Sequence, residues 1–199
     1  MTRTGSTIVV SGTLQTGTLH PSTPLLLLPS NELVVTRALL SRGAPVPRVQ
    51  AGEHCELTIS TVEMISPGNV LCAPAHPVPL AWRVEAYIRT LPPSASLHAS
   101  LLLAGSPVEL FVHSAACAAR LHKITASADP HTGERVPDGR PPRRLTPRTA
   151  AYVTIDLEQP VPLEVQASCP QLSRIVLRDG GQTVAVGHIV AILPPPRRR

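Results

Sequence analysis

Residues 11–29 read SGTLQTGTLHPSTPLLLLP, and this stretch separates two fold classes. Gly12 and Gly17 have the spacing of a phosphate-binding loop, G-x-x-x-x-G-K-[ST], but Thr18 stands where the lysine belongs. Such a loop must also open a helix, because the helix N-terminus and the lysine together hold the phosphates. Here Pro21 and Pro24 follow, and an interior proline costs a helix about 3 kcal/mol. The stretch therefore reads as strand, turn and strand. Gly12 and Gly17 are expected as hairpin glycines, with Gly17 supplying the positive φ of a tight turn.

The neighbouring segments repeat this pattern of short apolar runs between turn signals. In the first half they are STIVVSGTL (6–14), TPLLLLP (23–29), ELVVTRALL (32–40), HCELTIS (54–60) and NVLCAP (69–74). HCELTIS places Cys55, Leu57 and Ile59 on one face at period two, as a half-buried strand requires. AHPVPLA (75–81) reads as a linker. WRVEAYIRTL (82–91), SPVELFVHS (106–114) and ARLHKITASAD (119–129) follow, the second with Val108, Leu110 and Val112 inward. HTGERVPDGRPPRRLTPR (131–148) is polar, basic and rich in proline, and is expected as a long exposed hairpin loop. AAYVTIDL (150–157), PVPLEV (160–165), SRIVLRD (173–179) and QTVAVGHIVAI (182–192) complete the strand set. Ala-Gly precedes a strand in both AGEHCELTIS (51–60) and AGSPVELFVH (104–113), either a shared turn-into-strand device or a trace of duplication.

Many short strands with no convincing helix predict an all-β chain. Closing a sheet removes its exposed edges. The expected architecture is two consecutive β-barrels, at 1–76 and 82–193, with a basic tail at 194–199.

Composition narrows the function. Hydrophobic residues make up 43% of the 199 positions, enough for real cores, yet aromatics are only 2%. The 23 prolines argue against long helices. Net charge is +5, and Lys123 is the only lysine. An arginine-borne positive charge suits a phosphate-bearing partner such as RNA; it is equally what a coding bias toward Arg, Ala, Pro and Gly would give. Cys55, Cys72, Cys117 and Cys169 form no C-x-x-C pair, so neither zinc nor redox chemistry is indicated. There is no signal-peptide pattern and no apolar run long enough for a spanning helix. The chain is expected to be cytoplasmic and unattached to membranes.

Catalytic readings fail in turn. No N-K-x-D stretch exists, and DPHTG has the wrong spacing for a GTPase switch. The eight histidines form neither H-x-x-x-H nor H-E-x-x-H. His113 and Ser114 are expected as strand neighbours on opposite faces, unable to act as base and nucleophile. Glu56 and Glu63 are not at a spacing that argues for an acid pair. The chain is expected not to be an enzyme by itself, and to take no small-molecule substrate.

Taken in order, SGTLQTGTLHPSTPLLLLP, VQAGEHCELTIS and ISPGNVLCAP resemble domain II of translational GTPases of the EF-Tu and elongation-factor-one-alpha type. GSPVELFVHS, TGERVPDGRPPRRLT, AYVTIDLEQPVPLE and LSRIVLRDGGQTVAVGHIVAI resemble domain III of the same proteins. Within that family, GSPVELFVHS and VLCAP look most like the HBS-type ribosome-rescue GTPase that partners Pelota. The GTPase subunit of the release factor is the rival, and the adaptor joining the Ski complex to the RNA exosome carries similar domains.

The resemblance implies a Pelota-like, tRNA-shaped partner and the ribosome. It implies no cofactor here, because GTP and magnesium would belong to a full-length parent with a GTPase domain. Carried over by position, it puts Arg174, Arg178, Asp179 and His113 at the partner surface, where an arginine fork pairs well with carboxylates. A self-contained pairing of Arg174 within its own barrel stays open. Arg143, Arg144 and Arg148 are candidates for RNA or ribosome contact, or else solvated loop residues. Ser173 and Ile175 depart from the family's glycine and aromatic, and Gly180, Gly181 and Gly187 are expected as turn and bulge glycines.

Overall fold

The computed structural model describes residues 6–92, 102–136 and 141–196. Part of the expected 131–148 loop and the end of the expected 194–199 tail lie outside them. The described residues are nearly all β, and their single helical turn is a 3-10 turn at Pro170–Leu172. The chain divides into two compact units, Met1–Val78 and Pro79–Arg199.

The first unit contains β1 (Ser6–Thr13), β2 (Thr18–Leu19), β3 (Pro24–Leu28), β4 (Glu32–Ser41), β5 (Ala44–Pro45), β6 (Val49–Gln50), β7 (His54–Thr61) and β8 (Val70–Cys72). Its main sheet runs β1-β7-β4-β3-β8, with β5 paired to β4 and a separate β2-β6 ribbon. Alternation builds the core: Leu25 and Leu27 from β3, Val34 and Leu39 from β4, and Cys55, Leu57 and Ile59 from β7 are all buried. The opening stretch is thus resolved as strand, not phosphate loop. Gly17 has φ 78°, and its carbonyl receives the Ala51 N–H at 3.0 Å. Gly12 is not a hairpin glycine. It lies inside β1 opposite Cys55, because the chain turns only after Thr13, where Leu14 bonds to Glu53 and Gly52.

The second unit contains β9 (Leu80–Thr90), β10 (Leu102–Leu103), β11 (Pro107–Val112), β12 (Ala115–Ala128), β13 (Arg144–Leu145), β14 (Ala150–Pro162), β15 (Arg174–Asp179) and β16 (Gln182–Leu193). Six of them close into a barrel in the order β11-β12-β14-β9-β16-β15, and β10 pairs with β13 alongside. Val84, Ala86, Ile88, Leu110, Leu121, Val153, Ile155, Leu177 and Ile189 fill the interior. With almost no aromatic bulk available, branched aliphatic side chains from every wall make this core. Prolines sit where a missing N–H does least harm, at the first residue of β3 and β11 and the last of β5 and β14.

Several sequence expectations are corrected here. PVPLEV is not a separate strand: β14 runs through to Pro162 across a register shift between Asp156 and Val161. His113 and Ser114 are not strand residues but the turn between β11 and β12, with His113 at φ 43°. Gly187 is neither turn nor bulge. It pairs with Ile175 on one side and Ile88 on the other, and a Cβ there would collide with the Tyr87 carbonyl oxygen and lie 2.9 Å from Ile88 Cα. The 131–148 segment is not simply an exposed loop, since Leu145 is buried in the barrel core. The two Ala-Gly pairs share one backbone conformation: Gly52 has φ 91° and Gly105 φ 93°, each in the turn before a strand.

Candidate functional site

The residues expected at the partner surface sit around β15, between β11 and β16. Ile175 and Leu177 point into the barrel, so Arg174, Val176 and Arg178 face outward. The start of the strand is anchored by Ser173. Its fully buried hydroxyl donates toward Gln166 Oε1 at 2.6 Å and lies 2.9 Å from the Pro170 carbonyl oxygen. Ser173 is thus a fastening point directly before Arg174.

Arg174 is exposed, opposite His188, and makes none of the ion pairs found among the described residues. The alternative of a pairing inside its own barrel therefore finds no support. Arg178 is engaged locally. Its Nη2 donates to the Gly181 carbonyl at 2.5 Å, and its guanidinium lies 5.4 Å from the Phe111 ring centroid. Asp179 pairs with Gln182 and opens the tight turn made by Gly180 and Gly181.

His113 follows Val112, the partner of Ile175, so it lies at the Arg174 end of the strip. Its Nε2 is 3.0 Å from the Pro162 carbonyl oxygen. Part of the ring is open to solvent, yet burial of the rest lowers its pKa below the usual histidine value, against a raising effect from that carbonyl. Arg174 and Arg178 share one face but stand four residues apart, about 13 Å at strand rise. The expected set is a strip along β15, not one focused cluster.

Sequence reading missed the middle of this strip. Phe111 pairs with Val176, and Val176 with Val186; the three form an outward apolar row between Arg174 and Arg178. Val186 is 36% exposed. Strand period was the available signal: with Val108, Leu110 and Val112 inward, Phe111 must point out.

Arg143, Arg144 and Arg148 lie elsewhere, at the barrel end where β9 finishes and β14 begins. All three are exposed. Arg144 pairs with Leu103 in the β10-β13 ribbon, and the Arg148 N–H donates to the Thr90 carbonyl at 3.2 Å. By contrast, two other arginines on the barrel wall are neutralised. Arg83 grips Asp156 in two-pronged fashion at 2.5 and 2.9 Å, and Arg135 meets Glu85 at 3.0 Å while covering Tyr152. Among the described residues no group of three or more His, Cys, Asp or Glu side chains converges as a metal site. No helix among them is long and apolar enough to cross a membrane.

This geometry can be set beside known proteins. Residues 95–190 match the family described as GTP-eEF1A C-terminal domain-like. Protein HBS1 of Drosophila melanogaster is 29% identical over 191 residues, covering 95% of this chain and 28% of that protein. Elongation factor 1-alpha of Cenarchaeum symbiosum is 27% identical over 96% of the chain and 43% of its own length. Over nearly its whole length the chain is similar to the C-terminal domains of translational GTPases of the eEF1A type. The eukaryotic peptide chain release factor GTP-binding subunit of Zygosaccharomyces rouxii is 28% identical over 93% of the chain and 27% of its own length. Among solved structures, Sup35 complexed with GDP superposes with a TM-score of 0.84 at 23% identity, covering 94% of this chain and 44% of that one; this likeness is one of fold. The chain thus spans less than half the length of each of these eEF1A-type relatives.

Proposed function

We propose that this chain is the partner-binding double barrel of an HBS-type translation factor, engaging a Pelota-like, tRNA-shaped protein and the ribosome in rescue of stalled translation. The observation that carries this reading is the outer strip of the second barrel. An exposed, unpaired Arg174 stands beside the apolar row Phe111–Val176–Val186. Such a strip offers apolar contact at its centre and an arginine fork for a carboxylate at its rim. His113 and Arg178 bound it at its two ends, and Asp179 adds an acceptor. The likeness to Drosophila HBS1 supports the rescue branch. The chain does not catalyse GTP hydrolysis in this reading, and it works in the cytoplasm, where ribosomes are. The likeness to a release-factor subunit supports a second reading, the same strip serving termination.

Titration calorimetry against a Pelota-like protein and a class I release factor separates the two. The rescue reading expects selective binding to the first, weakened about tenfold or more by R174A, a loss of about 1.4 kcal/mol. Selective binding to the release factor moves the chain to the termination branch. Binding to neither overturns both.

A further inference from the structure

Four outward side chains stand in one row across four neighbouring strands of the second barrel. Register fixes the row: Arg174 of β15 pairs with His188 of β16, His188 with Tyr87 of β9, and Tyr87 with Tyr152 of β14. Ile175, Ile189, Ala86, Ile88 and Val153 beside them point into the core, so strand alternation turns all four outward. The row is braced from its β14 end. Arg135 covers the Tyr152 ring at 4.0 Å from its centroid and meets Glu85 at 3.0 Å, and the Tyr152 hydroxyl donates to the Gly133 carbonyl at 2.9 Å. Tyr87 is buried, edge-on to Tyr152 with ring centroids 5.6 Å apart. The His188 ring rests against Tyr87, centroids 5.3 Å apart and planes at 33°. His188 is thus held by a packed aromatic pair on one side and lies half-buried beside the exposed Arg174 on the other.

The two residues at this end of the row have donors to spare. Among the described residues, no hydrogen bond or ion pair engages the His188 ring nitrogens or the Arg174 guanidinium. The charged and titratable groups around His188 leave them so. β15 presents Arg174, and β9 presents Tyr87 with Glu85 and Arg89 two residues to either side. Glu85 is taken by Arg135 and the Thr125 hydroxyl. Segment 163–173, which bonds to the N–H and the carbonyl of Ile189, contributes Glu164 and the buried Cys169. Glu164 forms no ion pair with either residue. His113, at the same end of the strip, is committed to the Pro162 carbonyl.

Arg174 and His188 therefore offer donors from adjacent strands, with Cβ atoms about 5 Å apart, and no acceptor between them. A guanidinium fork and an imidazole N–H match the two oxygens of one carboxylate. Charge matches as well. Burial pushes the His188 pKa below the usual histidine value, so the free site carries one full positive charge and suits a monoanion better than a phosphate dianion.

We propose that Arg174 and His188 form a two-pronged site for a single carboxylate, an aspartate or glutamate side chain of the protein factor that the β15 strip receives. The identity of that factor rests on the partner-binding reading above, whereas the carboxylate chemistry is testable without any factor. A bound carboxylate favours the imidazolium, so His188 has a higher pKa in the complex than in the free chain. The site then takes up a proton with its ligand. Affinity is greatest below the pKa of the complex and falls as pH rises through it.

Histidine-ring NMR of the full chain tests the site directly, with the His188 signals assigned by their loss in H188Q. Millimolar hexaglutamate at low salt should raise the His188 pKa by about 0.5 to 1. R174A should remove most of that rise, and R42Q, in the first unit, should leave it intact. Calorimetry with the factor that binds is the second arm. The wild-type chain should bind about three- to tenfold tighter near pH 6 than near pH 8, and H188Q, checked for an unchanged melting temperature, should lose most of that gain. No rise with hexaglutamate, an equal rise in R174A, or a larger rise with the same concentration of inorganic phosphate overturns the carboxylate site. So does a factor bound equally well by H188Q and the wild-type chain at both pH values. A rise with hexaglutamate when neither factor binds upholds the site and overturns the partner reading alone.

Discussion

At the scale of single residues, Gly187 is the tightest constraint in the second barrel. It is held between Ile175 and Ile88, and any Cβ meets the backbone of Tyr87, which cannot swing aside as a side chain would. G187A is therefore expected to destabilise the barrel by about 3 kcal/mol, measured as a lowered urea midpoint. Thr36 presents the opposite case. It is fully buried in β4 opposite Ile59, and its hydroxyl has no hydrogen-bond partner. T36V keeps the shape and removes the unsatisfied group, and should raise stability by about 1 kcal/mol in the same measurement. Neither property could be read from sequence. A glycine in QTVAVGHIVAI and a threonine in ELVVTRALL look ordinary, and only the neighbouring strand reveals what each one faces. Arg174 differs: the resemblance already placed it at the surface, and strand alternation with the buried Ile175 and Leu177 that follow it turns it outward.

At the scale of elements, strands were legible wherever apolar residues alternated, as in β7 and β11. The segment 131–148 was not, because its signal is one leucine among arginines and prolines. What makes part of it structure is Leu145 in the core and the hydrogen bonds of the Thr90 hydroxyl to Thr146 and Thr149, both long-range. T90V should therefore cost about 1–2 kcal/mol, by leaving the Thr149 N–H without its acceptor. It should also raise hydrogen exchange at 146–149 while the strands of the barrel wall keep their protection. Equal loss of protection throughout the barrel would show that the loop is not an independent fastening. The β11-β12 turn was misread for a related reason. SPVELFVHSAACAARL is continuous enough to hide a two-residue reversal, and the positive φ at His113 appears in a residue type that does not announce it. The Ala-Gly turns before β7 and β11 were visible because glycine does.

At the scale of the whole molecule, the two units meet the problem of sheet edges differently. The second closes its hydrogen-bonding circuit through six strands, whereas the main sheet of the first ends at β1 and β8. A closed circuit with its own continuous core should fold alone. Expressed separately, residues 79–199 are expected to give a cooperative thermal transition by circular dichroism. Residues 1–78, smaller and with strand edges open, should melt at least about 5 °C lower or associate. A fragment 79–199 lacking a cooperative transition would show that its barrel needs the rest of the chain.

The sequence by itself determined the all-β class, the inward and outward faces of most strands, the absence of a phosphate loop at 11–18 and the likeness to eEF1A-type barrels. These follow from local period, proline and glycine chemistry, and motifs that lie within a few residues of one another. Tertiary structure decided what depends on partners distant in the chain. It brought Phe111, Val176 and Val186 into one row, set Gly187 against Tyr87, buried Leu145, and tied residues 146–149 to Thr90. Strand register and ring closure join residues tens of positions apart, and alternation along one strand fixes which face a side chain takes but not what it meets there.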